Sequence, residues 1–198
     1  MQKCGGDVEL IGFVDDDPSL KSFCGFEVIG RVDELLRLAN RDPRPIGYIT
    51  AFGSNTLRRE IVNRIEELRG TNLVAWTLRH PNSWCGADVE VGEGTCLAPG
   101  SIVTSRARIG KHCVLNVHAS VSHDCVLGDY VNINPAATIC GNVTIGAGAY
   151  IGAGATIKEK IDIGQNAVIG AGSVVIRDVP PDVTVVGVPA RVVTKEEQ

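Results

Sequence analysis

The 198-residue sequence has no run near the roughly 20 apolar residues that a membrane-spanning helix needs, so no such span is expected. Its opening, MQKCGGDVEL, lacks the apolar stretch of a secretory signal, and a cytoplasmic protein is expected. No Lys/Arg-rich block is present and the formal net charge is −4, so there is no charge complement for nucleic acid or anionic lipid. A small-molecule partner is expected instead. The seven cysteines are odd in number and include no Cys-x-x-Cys pair, so they form neither a disulfide framework nor a zinc-finger pattern. Cys113 and Cys125 stand in repeat positions held mostly by Ala, Ser, Thr or Val and read as small apolar fillers.

What the chain does have is a period. From Val91 to Val175 every sixth residue is aliphatic, through Leu97, Val103, Ile109, Leu115, Val121, Leu127 and Ile133 onward. Four residues after each comes a small or apolar one, such as Thr95, Ala107, Ala119 or Ala137, and the next position after the aliphatic is often Gly, as at Gly92, Gly110, Gly128 and Gly146. A fixed internal period marks a solenoid. Six residues fit neither a 3.6-residue helical turn nor indefinite strand alternation; they fit a short strand plus a corner, beside which a Gly or Asn tolerates unusual φ. Three such sides close a triangular coil, so residues 18 apart stack as a parallel ladder, Asn116 with Asn134 and Gly152 with Gly170.

Residues 1–80 follow another rule. VELIGFV reads as a buried strand, VDELLRLAN as a helix with Asp33 as N-cap, PIGYITAFG as a strand, and NTLRREIVNRIEELRG as an amphipathic helix stopped at Gly70. Leu57, Ile61, Ile65 and Leu68 would share that helix's buried face, and LVAWTL would complete a small parallel α/β layer. FVDDDP puts Asp15, Asp16 and Asp17 at a strand end, where open α/β folds bind ligands; a plain turn is the alternative.

The hexads, closed by VVGVPAR at Val185–Arg191, resemble the hexapeptide-repeat acyltransferases. That resemblance implies a left-handed parallel β-helix over residues 81–198 and a homotrimer with sites between subunits. The whole arrangement resembles the sialic acid O-acetyltransferase and amino-sugar nucleotide N-acetyltransferase group. It implies a Rossmann-like α/β domain over residues 1–80 that holds a sugar nucleotide, and a β-helix that holds acetyl-CoA as co-substrate. The family's opening strand and Gly-Gly-His loop are not matched by Cys4–Gly6, so the expected domain is either truncated at its start or reduced. FGSNTLR resembles the family's Gly-x-Asn-x-x-Arg, which implies a substrate role for Gly53, Asn55 and Arg58 beside Asp15 and Asp16; otherwise Asn55 caps a helix and Arg58 is solvated.

Transfer from a thioester needs a base for the attacking group and a site for charge on the carbonyl oxygen. Imidazole suits the first task, because its ordinary pKa lies near neutrality. His123, beside Asp124 at an outward corner, is therefore the candidate, and SHDCVLGD resembles the family's catalytic stretch, which implies His123 as general base and Asp124 as its orienting carboxylate. The resemblance also implies an acetyl-CoA groove along Gly141, Ala153 and Ala171, with Asn132 where relatives often have His. Asn116 would position the acetyl carbonyl or else form an amide ladder with Asn134. His118 and His123 are spaced like two zinc ligands of the γ-class carbonic anhydrases, but the third ligand would fall at Asn82, a poor donor for zinc, and no metal is expected. The leading expectation is N-acetylation of a UDP- or GDP-linked 4-amino-4,6-dideoxy sugar; the alternatives are O-acetylation of a sialic acid or similar sugar, and a non-catalytic trimeric scaffold.

Overall fold

The structure is a computed structural model that describes residues 9–41, 44–67 and 72–193. Cys4–Gly6, Leu68 and Gly70, to which the sequence assigns roles, lie outside the described residues. The chain divides into two units: Met1–Tyr48 with Arg59–Ala75, and Ile49–Arg58 with Trp76–Gln198.

In the first unit β1 (Phe13–Val14) pairs in parallel with β3 (Phe26–Gly30), and β2 (Ser22–Phe23) pairs with β3 as an antiparallel hairpin. The hairpin is absent from the sequence reading. Its two-residue loop is Cys24-Gly25, both at positive φ (50° and 82°), the conformation that lets strand twist continue through a tight turn. Helix α1 (Glu34–Arg41) follows; β4 (Ile46–Tyr48) and β5 (Leu73–Ala75) form a separate parallel pair. Val32, Leu35 and Ile65 are the buried centre. Asp33 does not cap α1, because its Oδ1 accepts two bonds from Arg64 (3.1 and 2.8 Å).

Helix α2 (Asn55–Glu66) starts on Ser54, whose Oγ accepts from the Leu57 amide (3.3 Å). Asn55 is thus inside the helix, not its cap. The buried stripe is Arg58, Val62 and Ile65, while Leu57 is 40% exposed, one position off the expected face. An apolar pattern cannot register a buried arginine, so Arg58 moves the buried face one position from the apolar one.

In the second unit, two-residue strands recur every six residues from Leu78–Arg79 to Val174–Val175. They stack into three sheets whose parallel partners are 18 apart, as in Val103↔Val121, Ile109↔Leu127 and Leu115↔Ile133. From Cys96–Leu97 to Val174–Val175 every strand turns one aliphatic inward. Leu115, Ile133, Ile151 and Ile169 form one fully buried column, each side chain contributing about 2 kcal/mol by burial. Cys113 and Cys125 are fully buried among them; burial pushes the Cys113 thiol up to about 12, and its S–H donates to the Gly128 carbonyl. Thr184–Gly187 ends the coil stack and turns back as a hairpin through Ala190–Val192.

The glycines after the aliphatics do not carry the positive φ expected of them. That falls two residues later, at glycines such as Gly148 and Gly154 (71° and 67°) and also at Arg106, His112, Asp124, Tyr130 and Asn142, these five between 52° and 59°. Gly110 is small for another reason: a Cβ there would lie 2.5 Å from the Gly128 carbonyl carbon of the next coil. The left-handed corners are themselves held by the ladder, as when the Asp124 amide donates to Ser105 O (3.1 Å).

Candidate active site

His123 stands at one corner of the β-helix. Val121 before it and Cys125 after it are fully buried, so the short corner between them has little freedom. The next coil holds its backbone, with the Asn142 amide donating to His123 O (3.0 Å). The ring points outward, with 53% of its side chain exposed. Its Nδ1 lies 2.7 Å from Asp124 Oδ2. With the proton on Nδ1 as donor, Nε2 keeps its lone pair.

Asp124 has a second partner. Arg106, one coil earlier, donates Nε to Oδ1 (2.7 Å) and Nη2 to Oδ2 (2.9 Å), a two-point grip. The guanidinium first, then His123, pull the Asp124 carboxyl from 3.8 down to about 2, so it is an anion at any working pH. The sequence reading missed Arg106, although the 18-residue ladder already puts it over Asp124.

On the other side of the ring is Gly141. A Cβ at that residue would lie 2.7 Å from both Cε1 and Nε2 of His123, so the imidazole rests where only glycine leaves room. The Gly141 amide makes no hydrogen bond among the described residues, and neither do those of Ala153 and Ala171 at matching places on another corner. Corner amides of this kind are donors for a carbonyl oxygen.

Asn116 does not form a ladder with Asn134: its Oδ1 accepts from the Val117 amide (2.8 Å), while Asn134 Nδ2 donates to Ile151 O (2.8 Å). Asn132 is buried rather than open to a groove, its Oδ1 accepting from Arg58 Nη2 and its Nδ2 donating to Gly53 O, both at 2.7 Å. Arg58, 1% exposed, is neither solvated nor turned to a ligand. Its Nε donates to His112 O (2.8 Å), Nη1 to Phe52 O (2.9 Å) and Nη2 to Tyr130 O (3.0 Å). Asn55 Nδ2 donates to the carbonyls of Gly148 and Ala149. The Gly-x-Asn-x-x-Arg segment is thus latched along the β-helix wall, beside the stacked rings of His112 and Tyr130 (centroids 5.3 Å apart).

At the acidic strand end, Asp16 is committed to Arg64 (2.6 Å), Arg31 and the Val32 amide, which lower its pKa, and Asp17 to Ser19. Asp15 accepts from the Asp17 amide through one oxygen and has no ion pair among the described residues. No group of three or more His, Cys, Asp or Glu among the described residues is placed to hold a metal, and His80 Nδ1 accepts from the Asn82 amide. No helix among the described residues is long and apolar enough to cross a membrane.

Comparison with known proteins gives two family matches: the bacterial transferase hexapeptide family (six repeats) at residues 124–159 and 142–177, and the PglD N-terminal domain at residues 1–65. The GDP-perosamine N-acetyltransferase of Escherichia coli O157:H7 is 36% identical over 124 residues, 63% of this chain and 52% of the relative. The match therefore spans about half the length of that curated relative. A histidine-to-asparagine mutant of perosamine N-acetyltransferase from Caulobacter crescentus, in complex with CoA and GDP-perosamine, superposes with a TM-score of 0.86 at 29% identity, covering 93% of this chain and 85% of that one. The acetyltransferase domain of PglB from Neisseria gonorrhoeae FA1090, in complex with acetyl coenzyme A, gives a TM-score of 0.82 at 30% identity, covering 92% and 85%.

Proposed function

The chain belongs to the bacterial hexapeptide-repeat acetyltransferases with a PglD-type N-terminal domain, and from that premise we propose that it moves the acetyl group of acetyl-CoA onto the amine of a nucleotide-linked 4-amino-4,6-dideoxy sugar. The observation that carries this reading is the His123–Asp124 pair lying against Gly141 on a rigid corner, in a chain similar to enzymes that bind CoA and GDP-perosamine.

In the proposed reaction the amine nitrogen attacks the thioester carbonyl carbon and His123 Nε2 takes a proton from it as the N–C bond forms. Negative charge on the carbonyl oxygen is met by a corner amide, for which Gly141 is placed beside the ring. Collapse breaks the C–S bond, and the imidazolium returns its proton to the CoA thiolate. The products are an N-acetyl sugar nucleotide and CoA. Asp124 stays ionised throughout and stabilises the transient imidazolium.

Ala153 and Ala171, exposed and 18 residues apart, are proposed to let the pantetheine arm lie close to the backbone, and Asn116, whose Nδ2 makes no bond among the described residues, to contact the acetyl group. Asp15 is the acidic residue proposed for hydroxyls of the nucleotide. The working form is proposed to be a trimer with sites between copies, and the use of acetyl-CoA and a nucleotide sugar supports a cytoplasmic location.

The acceptor decides the reading. Given acetyl-CoA and either GDP-perosamine or the matching 4-hydroxy sugar nucleotide, the protein is expected to release CoA thiol only with the amine. Turnover of the hydroxyl compound alone would replace N- with O-acetylation. Failure of acetyl-CoA to bind in a calorimeter would leave a scaffold without catalysis.

A further inference from the structure

We infer that Arg106 is a positioning residue for the general base: gripping Asp124 from the preceding coil, it makes that carboxylate hold the His123 ring with Nδ1 protonated and Nε2 bare. The inference rests on the reading of His123 given above and adds the part that keeps its imidazole in one tautomer and one orientation.

Asp124 alone is a weak anchor. Its side chain is 30% exposed at a corner, where a carboxylate bound to a single imidazole is free to turn toward water. Arg106 removes that freedom by occupying both oxygens, Nε on Oδ1 and Nη2 on Oδ2, which leaves Oδ2 one remaining approach, the one taken by His123 Nδ1. The grip is built into the backbone. Arg106 and Asp124 share the same left-handed corner conformation (φ 59° in each), and their amides are tied to the coil before, Arg106 N to Ala87 O and Asp124 N to Ser105 O. Two residues 18 apart on such a corner send their side chains along one column. The charged groups of that column are Asp88 before Arg106 and Lys160 two coils beyond Asp124, with neutral Asn142 between. No other cation pairs with Asp124 among the described residues.

The arrangement has an electrostatic consequence. Arg106 offsets the charge of Asp124 beside the imidazole. Replacing Arg106 by a neutral side chain makes the surroundings of the ring more negative, favours the protonated ring, and moves the acidic limb of kcat/KM to higher pH. Arginine supplies the fork and lysine only a point charge, so Arg106→Lys keeps the charge and loses the geometry. Exposed ion pairs contribute little to folding, so both variants fold.

Two measurements decide the matter. Long-range 1H–15N spectra of the full chain, with His123 identified by the signals missing in His123→Ala, are expected to show one neutral tautomer protonated on Nδ1, and in Arg106→Gln an average of the two tautomers. With acetyl-CoA and GDP-perosamine, Arg106→Gln is expected to lower kcat by about 10-fold while KM for acetyl-CoA stays within about 2-fold, as for a base moved off its geometry. Its acidic limb moves to higher pH, and Arg106→Lys returns that limb while recovering part of kcat. An unchanged tautomer in Arg106→Gln overturns the inference, whether kcat falls or not. If His123→Ala retains full activity, the base assignment fails separately, and the spectra alone still show whether Arg106 sets the ring.

Discussion

At the scale of single residues, His123 is restricted from three sides: Asp124 at Nδ1, the coil ladder through its carbonyl, and Gly141 under Cε1 and Nε2. Gly141→Ala would place a methyl carbon 2.7 Å from the ring and force it outward. Displacing a catalytic group by about 1 Å costs up to about 100-fold in rate. Steady-state kinetics is expected to show a loss of that order in kcat, with the thermal midpoint little changed because the exposed ring is free to give way; kcat within twofold of the wild type would contradict this. The Asp124 carboxyl is depressed to about 2, so its pairing contributes fully above the ordinary carboxylate value of 3.8 and is lost only as pH falls through about 2. An acidic limb of kcat/KM between pH 5 and pH 8, ordinary working pH on the scale of an imidazole, therefore does not report Asp124. Asp124→Asn is expected to shift that limb to lower pH by removing the anion beside the ring, and an unmoved limb would count against the pair.

At the scale of elements, the latched segment 52–58 explains why some of the site was legible in the sequence and some was not. The hexads could be read because each slot repeats one demand, an inward aliphatic and a tight corner, and every slot meets it. The Arg106–Asp124 pairing was present in the same ladder and needed only the 18-residue step. The hairpin Ser22–Phe26 was hidden by its Cys24-Gly25 turn, which lacks the Asn-Gly or Asp-Gly signal of such loops. The burial and mutual pairing of Arg58 and Asn132 could not be read: their surroundings are made by a segment docking onto strands that follow it by some 75 residues, beyond any local period. Removing Arg58 leaves the carbonyls of Phe52, His112 and Tyr130 without that donor. Arg58→Ala is expected to lower stability by about 3 kcal/mol, and Arg58→Lys to recover less than half, since lysine has no fork. Urea unfolding checks this, and a change below about 0.5 kcal/mol would show that the latch is not held by its arginine.

At the scale of the whole molecule, His123 and Gly141 share one corner while Ala153 and Ala171 share another. An edge of six residues separates neighbouring corners by up to about 20 Å, and the proposed trimer would bring the His123 corner of one copy beside the Ala153 corner of the next. Trp84 and Ile102, stacked and exposed at 55% and 43% on one flat face, offer apolar surface for such packing. Light scattering is expected to give three times the chain mass. Co-expression of His123→Ala with Ala171→Trp, each inactive alone, is expected to restore part of the activity, because some mixed sites draw an intact corner from each copy; no recovery from a confirmed mixed trimer would place the whole site within one chain. The most direct test of the account is turnover of GDP-perosamine by His123→Ala beside the wild type, with acetyl-CoA binding followed by calorimetry. The account predicts a fall in kcat of at least about 100-fold with acetyl-CoA still bound, and turnover within a few-fold of the wild type would contradict it.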